Sequence, residues 1–438
     1  MTMTRKGGNA DAPKAHRDPP RPGTARSALS HREFRIVWLG QLGSSVGSWM
    51  QTFTIGVFID KLTKQGAWVG IVMFAQMVPM LLFTIPGGVI ADRFDRRKLL
   101  ISLQSAQLVL ATALGLLTLL DNSPSKAAVI VLVFGGGVCN SMNAPAYSAL
   151  LPTLVGREDL PGAISLNSAA INLSRVVGPV IAGLLYPVLG AGWLYLMNAV
   201  TFLFVIAALL RIRFPELTVS KAEGLQQLAV GFRVVKADPL LSRILLTMTF
   251  FSFLSLPFLS LWSSLMRVHL HLHSAGTIGA LYAVFGVGAL VGSLAVGGAL
   301  ASVERHRTVR WGLGGFAGCM ALIAVTANAW VAFPAFFVLG ACYFGTTTSL
   351  LTVLQGRVED KVRGRVMALW FMSFGGTVSL CGPVFGPLLD ATNGYVVLGI
   401  GAASAAVLAW WCNLTIGGRR SVEGGGGQAG ASAARSAA

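Results

Sequence analysis

The chain has 438 residues, of which 54% are hydrophobic and only 12% carry a charge, and its mean hydropathy is +0.68. A soluble domain carries about 25% charged residues, so a water-solvated globule is excluded and lipid is the solvent that this composition requires. The formal net charge of +17 would point to nucleic acid in a soluble protein, and where the charges fall along the chain decides what it means here.

Residues 1–33 are basic and proline-rich (Pro13, Pro19, Pro20, Pro22) with no apolar centre. They read as a disordered arm and carry no mark of a cleaved signal. Beyond the arm, crossing the hydrocarbon layer takes about 20 apolar residues. Stretches free of Asp, Glu, Lys and Arg lie at 36–59, 65–91, 99–120, 127–156, 176–210, 244–266, 268–303, 311–356, 366–389 and 391–418. The stretch 160–210, which holds one charge, breaks at Pro187–Gly192, and 311–356 breaks near Ala327–Trp330. The expectation is an all-α membrane protein with 12 transmembrane helices, in bundles over 34–212 and 239–416. A cytoplasmic linker at 213–238 joins the bundles, and a disordered tail follows at 417–438.

All but five of the 34 Lys and Arg residues fall in the two tails or in alternate loops. The exceptions are Lys61, Lys64, Lys126 and Arg267 in the opposite loops, and Arg175 inside a span. Basic loops stay in the cytoplasm, so both termini are expected there, with the protein multi-pass in the cell membrane. The basic excess is then a topology signal, and nucleic acid drops out as a partner.

The bundles echo each other. Gly178-Pro179-Val180-Ile181-Ala182-Gly183-Leu184-Leu185 in span five matches Gly382-Pro383-Val384-Phe385-Gly386-Pro387-Leu388-Leu389 in span eleven. Parallel six-helix repeats with a midplane site at their interface are a transporter plan.

The loop after span two reads Gly88-x-x-x-Asp92-Arg93-x-x-Arg96-Arg97. This spacing resembles the cytoplasmic signature of the major facilitator superfamily, in the loop where that family carries it. Physically it reads as a conformational latch. Gly88 permits close helix approach, Asp92 can face the N-terminal end of span eleven, and the arginines can pair with Glu158, Asp159, Glu359 or Asp360. Contacts made in one state only would bias alternating access. The second half has no such spacing around Gly298 to Arg307.

In span five, Arg175 precedes Gly178-Pro179-x-x-Ala182-Gly183. This resembles the antiporter motif of superfamily exporters, with Ser174 in place of its leading glycine. Glycine and proline there bend the helix and admit a close neighbour. Three further stretches resemble the enterobactin-exporter and macrolide-efflux branch: Trp38-Leu39-Gly40-Gln41 with Gly47-Ser48-Trp49-Met50-Gln51, Pro145 through Pro152, and Arg157 through Ser168. Relatives often carry an acid where Ser48 stands. The resemblance implies export coupled to protons.

Arg175 is the one Asp, Glu, Lys or Arg inside an expected span. A charge there is costly and marks function by default, as an anion contact or gate, unless it lies near the span end and snorkels. All 17 acids fall in tails, loops or span ends, among them Asp60 and Asp390 at the outer ends of spans one and eleven. A cavity without a buried carboxylate favours neutral or anionic, partly apolar substrates. Other cavity candidates are Gln41, Gln51, Gln76, Asn140, Asn143, Asn172, Trp262 and Trp370, each equally able to serve packing. His269, His271 and His273 alternate in an outer loop without a neighbouring acid or cysteine, so a solvated loop is expected there and no metal site. The five cysteines sit singly in apolar stretches and read as packing residues.

No Gly-Lys dipeptide occurs, so a phosphate-cradling loop is absent and a gradient is expected to supply the energy. The reading is a monomeric secondary transporter, not an enzyme. It exports an antibiotic, siderophore or other natural product by proton antiport, and its partners are that small molecule, protons and the bilayer; no cofactor is expected. An importer of a metabolite, or a receptor that binds without turnover, is the alternative.

Overall fold

Helix breaks in this chain fall at glycines, prolines and charged loops, and they set the architecture. The computed structural model describes residues 21–93, 95–121, 123–212, 224–412 and 414; the side chains of 84–93, 149, 224–229 and 360–361 lie outside the description. Among the described residues there is helix and no strand.

Span one is Arg32–Thr63, closed by Lys64 in the left-handed conformation (φ 55°). Span two is Gly66–Arg93 and span three Arg96–Leu120. A continuous helical stretch, Lys126–Arg211, is interrupted where Gly156 and Gly190 adopt φ of 75° and 76°, a conformation glycine reaches without the Cβ penalty. It therefore holds three passes: 126–155, 157–189 and 191–211. Span seven is assembled from Pro239–Phe250, a π-helical turn Phe251–Ser255, Pro257–Ser260 and Trp262–His269. Spans eight, nine and ten are Ala275–Gly297, Arg305–Val325 and Ala329–Arg357. Span eleven joins Asp360–Phe371, a second π-turn Met372–Gly376 and Thr377–Ala391, and span twelve is Gly394–Trp411. Twelve passes result, in the expected order, with the starts of spans one and seven and the ends of spans six and twelve on one face, called here the terminal face. The opposite one is the distal face.

Two stretches differ from expectation. The arm expected to be disordered over 1–33 is ordered from Arg21: Ala25–Ser30 form a helix, with the Thr24 hydroxyl accepting from the Ser27 N–H. Buried Ala28 and Phe34 pack this segment with Tyr147, Leu150 and Leu154 of span four, an apolar gain that a count of prolines and charges does not register. Likewise Gly224–Ala237, within the expected linker, is a helix. Residues 1–20, 213–223 and the tail from 415 lie outside the described residues.

Each bundle is tied at its terminal face. Asp159, at the terminal-face end of the helix over 157–189, accepts from the His31 ring Nε2 (2.8 Å) and the Gly23 N–H (2.8 Å). In the second bundle Asp238 caps span seven through the Leu240 N–H and accepts from Arg357 Nε at 2.9 Å. The acid and the base have exchanged places between the repeats: the start of the first pass is tied to the start of the fifth in one bundle and to the end of the fourth in the other.

Candidate functional site

Among the described residues, hydrogen bonds between the bundles gather toward the distal face. Asp60, at the end of span one and 3% exposed, accepts from Arg267 Nε (2.8 Å) and Nη2 (2.9 Å) and from the Ser264 hydroxyl (2.5 Å), both on span seven. This bidentate, desolvated pair has the geometry that makes guanidinium–carboxylate contacts strong. Ser263 donates to the Gly56 carbonyl one turn deeper. At the neighbouring seam Asp390, which ends span eleven, caps span two by accepting from the Gly66 and Ala67 N–H groups at 2.6 and 2.8 Å. A carboxylate at a helix N-terminus meets its free donors and its positive dipole end. Gly70 and Gly382 then bring the two backbones so close that a Cβ on either would collide with the other. The same seam reaches mid-membrane, where Leu81 covers Gly376. Spans five and eight repeat the pattern, Gly183 against Gly279 and Val176 against Gly286.

Arg175 stands where these seams end. Span five runs over 157–189, so at about 1.5 Å per residue Arg175 lies over 20 Å from either end, beyond the reach of a snorkelling side chain. Its guanidinium carbon is 5.1 Å from the centre of the Trp49 ring on span one, within cation–π range. Its Nε is buried without a hydrogen-bond partner among the described residues. Gly178, one turn on, packs against the backbone of span one at Val46 and Met50.

The other expected cavity residues divide. Gln76 donates to the Thr52 hydroxyl at 2.8 Å, and its Oε1 is buried without a partner, as is that of Gln41. Gln51 is held by Asn198 Nδ2 of span six at 2.7 Å. Asn143 is buried within the first bundle and accepts from Gln104 Nε2 at 3.3 Å. Trp262 is a correction: it is buried in the second bundle, its Nε1 donating to the Ile278 carbonyl. It belongs to an aromatic core because Phe285, Phe336 and Tyr282 converge on its ring at 4.9–5.9 Å. Trp370 is buried likewise, whereas Asn140 is exposed and Asn172 half-buried. Among the outer histidines, His269 is also a correction to the solvated loop: it is buried and donates to the Ile323 carbonyl at 2.7 Å.

In the latch loop, the side chains of Gly88, Asp92 and Arg93 lie outside the described residues. Arg97 Nε and Nη2 donate to the carbonyls of Leu209 and Leu210, both at 2.9 Å, at the end of span six, where a cation complements the helix dipole. Asp95 accepts from the Arg97 and Lys98 N–H groups and starts span three.

Comparison with known proteins decides the family. The profile described as transmembrane secretion effector matches residues 23–417. The chain belongs to this family of major facilitator transporters. The enterobactin exporter EntS of Escherichia coli strain UTI89 is 28% identical to it over 394 residues, covering 86% of this chain and 89% of that protein, and the Shigella boydii serotype 18 exporter matches to the same extent. Among solved structures, the nucleoside transporter NupG superposes with a TM-score of 0.66 at 12% identity, over 87% of this chain and 98% of that one. A bacterial homologue of the iron transporter ferroportin in an inward-facing state gives 0.66 at 17%, over 86% and 97%.

In this transporter the distal basic residues turn out to be structural. Lys61 lies over the Tyr186 ring at 4.5 Å and Lys126 over Trp68 at 4.4 Å, while Arg267 clasps Asp60. Sequence reasoning named Asp60 only as a span-end acid. The available signal was the repeat: spans one and seven correspond, and Asp60 and Arg267 stand near their distal ends.

Proposed function

We propose that this transporter exports a small neutral or anionic, partly apolar molecule by alternating access, with a proton gradient as the energy source. The terminal face is taken as the cytoplasmic one, since the basic loops lie there. The observation that carries the reading is the distal clasp of Asp60 with Arg267 and of Asp390 with the start of span two. It ties the bundles together at the outer side, as a state open to the cytoplasm requires. Export then needs a ligand whose binding between the bundles favours breaking this clasp. The exporters among the relatives support the direction, and the absent phosphate-cradling loop supports a gradient as the driving force.

The test is accumulation of a panel of antibiotics and siderophores in cells expressing the wild type or Asp92→Asn, with and without a protonophore. Lower accumulation with the wild type alone, restored by the protonophore, is expected. Higher accumulation with the wild type would reverse the direction, and extrusion indifferent to the protonophore would remove the proton gradient.

A further inference from the structure

An arginine in the middle of a membrane span is ordinarily neutralised by an acid or by backbone carbonyls. Arg175 has neither. The 17 acids of the chain lie in tails, loops and span ends, and Nε of Arg175 makes no hydrogen bond among the described residues although it is fully buried. Its position is fixed from both sides: Gly178 seats span five on span one of the first bundle, and Val176 seats it on Gly286 of span eight in the second. The guanidinium therefore sits at mid-depth between the bundles, with one face over the Trp49 indole.

The surroundings are aromatic where they could have been polar. Tyr282 of span eight is one turn from Gly286, against which Val176 packs, and Phe53 of span one is one turn from Trp49. Tyr282 meets Phe53 edge-on, with ring centres 5.8 Å apart. A planar fork of donors with an indole on one face matches a carboxylate bidentately, and flat aromatic walls match a ring attached to it. With Arg175 the one basic residue at the middle of a span, the charge balance there is satisfied by one negative charge and not by two. A phosphate or a polycarboxylate would stay uncompensated.

We propose that Arg175 is the anion-binding residue of a site between the bundles, and that the ligand class is the aryl monoanion, a planar ring bearing one carboxylate. This rests on the transporter reading above and narrows its substrate. Trp49 orients the fork by covering one face of the guanidinium, so the anion approaches in its plane.

The test is equilibrium dialysis of the purified full-length transporter with 1-naphthoate, its neutral counterpart 1-naphthamide, and inorganic phosphate. The wild type should bind 1-naphthoate at least tenfold more tightly than 1-naphthamide, and phosphate should not compete. Arg175→Gln should level the two naphthyl ligands. Arg175→Lys, which keeps the charge and removes the fork, should retain a weakened preference and covers the case in which the glutamine variant does not fold. Equal binding of acid and amide by the wild type, no binding of 1-naphthoate, or a preference that survives Arg175→Gln overturns the proposal. Should 1-naphthoate fail to bind while cells still extrude members of the antibiotic panel, the aryl-anion class falls and the exporter reading stands. Arginine-dependent binding without gradient-driven extrusion has the opposite meaning.

Discussion

The two bundles echo each other in sequence and yet solve their interiors differently. In the second, Phe258 is fully buried, with Trp262, Phe285, Phe316 and Phe336 around it at 5.7–6.4 Å between ring centres. Its buried atoms without hydrogen-bond partners are hydroxyls, on Ser252, Thr346 and Ser349. The first bundle is threaded with amides instead: Gln51 with Asn198, Gln76 with Thr52, and Gln104 with Asn143. Among the described residues it also holds more unpartnered buried atoms, on Trp38, Gln41, Gln76, Gln104, Tyr147, Arg175 and Tyr195. Each such group costs about 1–3 kcal/mol, a cost that a packing role alone would not sustain. One bundle is thus a rigid aromatic wall, and the other carries the polar chemistry that faces it.

The sharpest way to break this comparison is to hollow the wall. Phe258→Ala should lower stability by about 3–5 kcal/mol, the range for truncating a buried aromatic, read as a drop in melting temperature in detergent. Phe204→Ala, at a position of the first bundle more than half exposed, should shift it little. Equal drops would mean that the aromatic cluster is no more rigid than the lipid-facing surface. Next in size is the clasp. Arg267→Ala leaves the buried Asp60 carboxylate unpaired, and breaking a buried pair by removing one partner costs about 3–5 kcal/mol. That loss falls on the distally closed state, so it should open the transporter and leave it folded. Ser263→Cys, in the closed pit beside the clasp, should react faster with an impermeant maleimide when Arg267 is Ala. Adding Asp60→Asn, which removes the stranded charge, should bring the rate back toward that of the Ser263→Cys parent. Unchanged labelling in Arg267→Ala would deny the clasp its gating role.

Much of this was legible in the sequence, for a reason specific to lipid. A hydrocarbon layer forbids unpaired charges over about 20 residues, so charge-free stretches mark the spans. The break expected at Pro187–Gly192 is where Gly190 turns left-handed. Pairings between bundles were not legible: Asp60 and Arg267 are 207 residues apart, and no local pattern links them. Trp262 illustrates a second limit. On its own helix an indole suits a cavity as well as a core, and only the convergence of Phe285 and Phe336 from other spans decides it. Gln51 is an intermediate case, readable as polar and mid-span but not as the partner of Asn198. Its replacement by Leu should cost about 1–2 kcal/mol through the stranded Asn198 amide, less than the loss of Phe258. A cost equal to that of Phe258→Ala would make the amide pairs the chief support of the first bundle.

The smallest expected effects are at the terminal ties, where the repeats differ in which side holds the acid. Burial opposes ionisation of Asp238, but the Arg357 guanidinium and the Leu240 N–H outweigh it and hold the carboxyl below its ordinary value. For Asp159 the His31 hydrogen bond, and after it the Gly23 N–H, act in the same direction. A carboxyl whose folded value is depressed contributes stability that is present above the unfolded value of about 3.9 and is lost as pH falls through the folded one. Both ties should therefore hold at neutral pH and loosen only below about pH 4. The Asp238 tie is solvent-screened and worth no more than about 0.5–1 kcal/mol, so Asp238→Asn should flatten the acid limb of the melting-temperature profile by a correspondingly small amount. For Asp159 the readout is local: the arm helix carries Arg26 at an exposed position, and release of the arm should make that site cleavable by trypsin. In Asp159→Asn cleavage should be fast already at neutral pH, whereas in the wild type it should stay slow. Slow cleavage in Asp159→Asn would place the hold on the arm in the apolar contacts of Ala28 and Phe34 alone, and the two repeats would then differ in kind at this face and not merely in charge order.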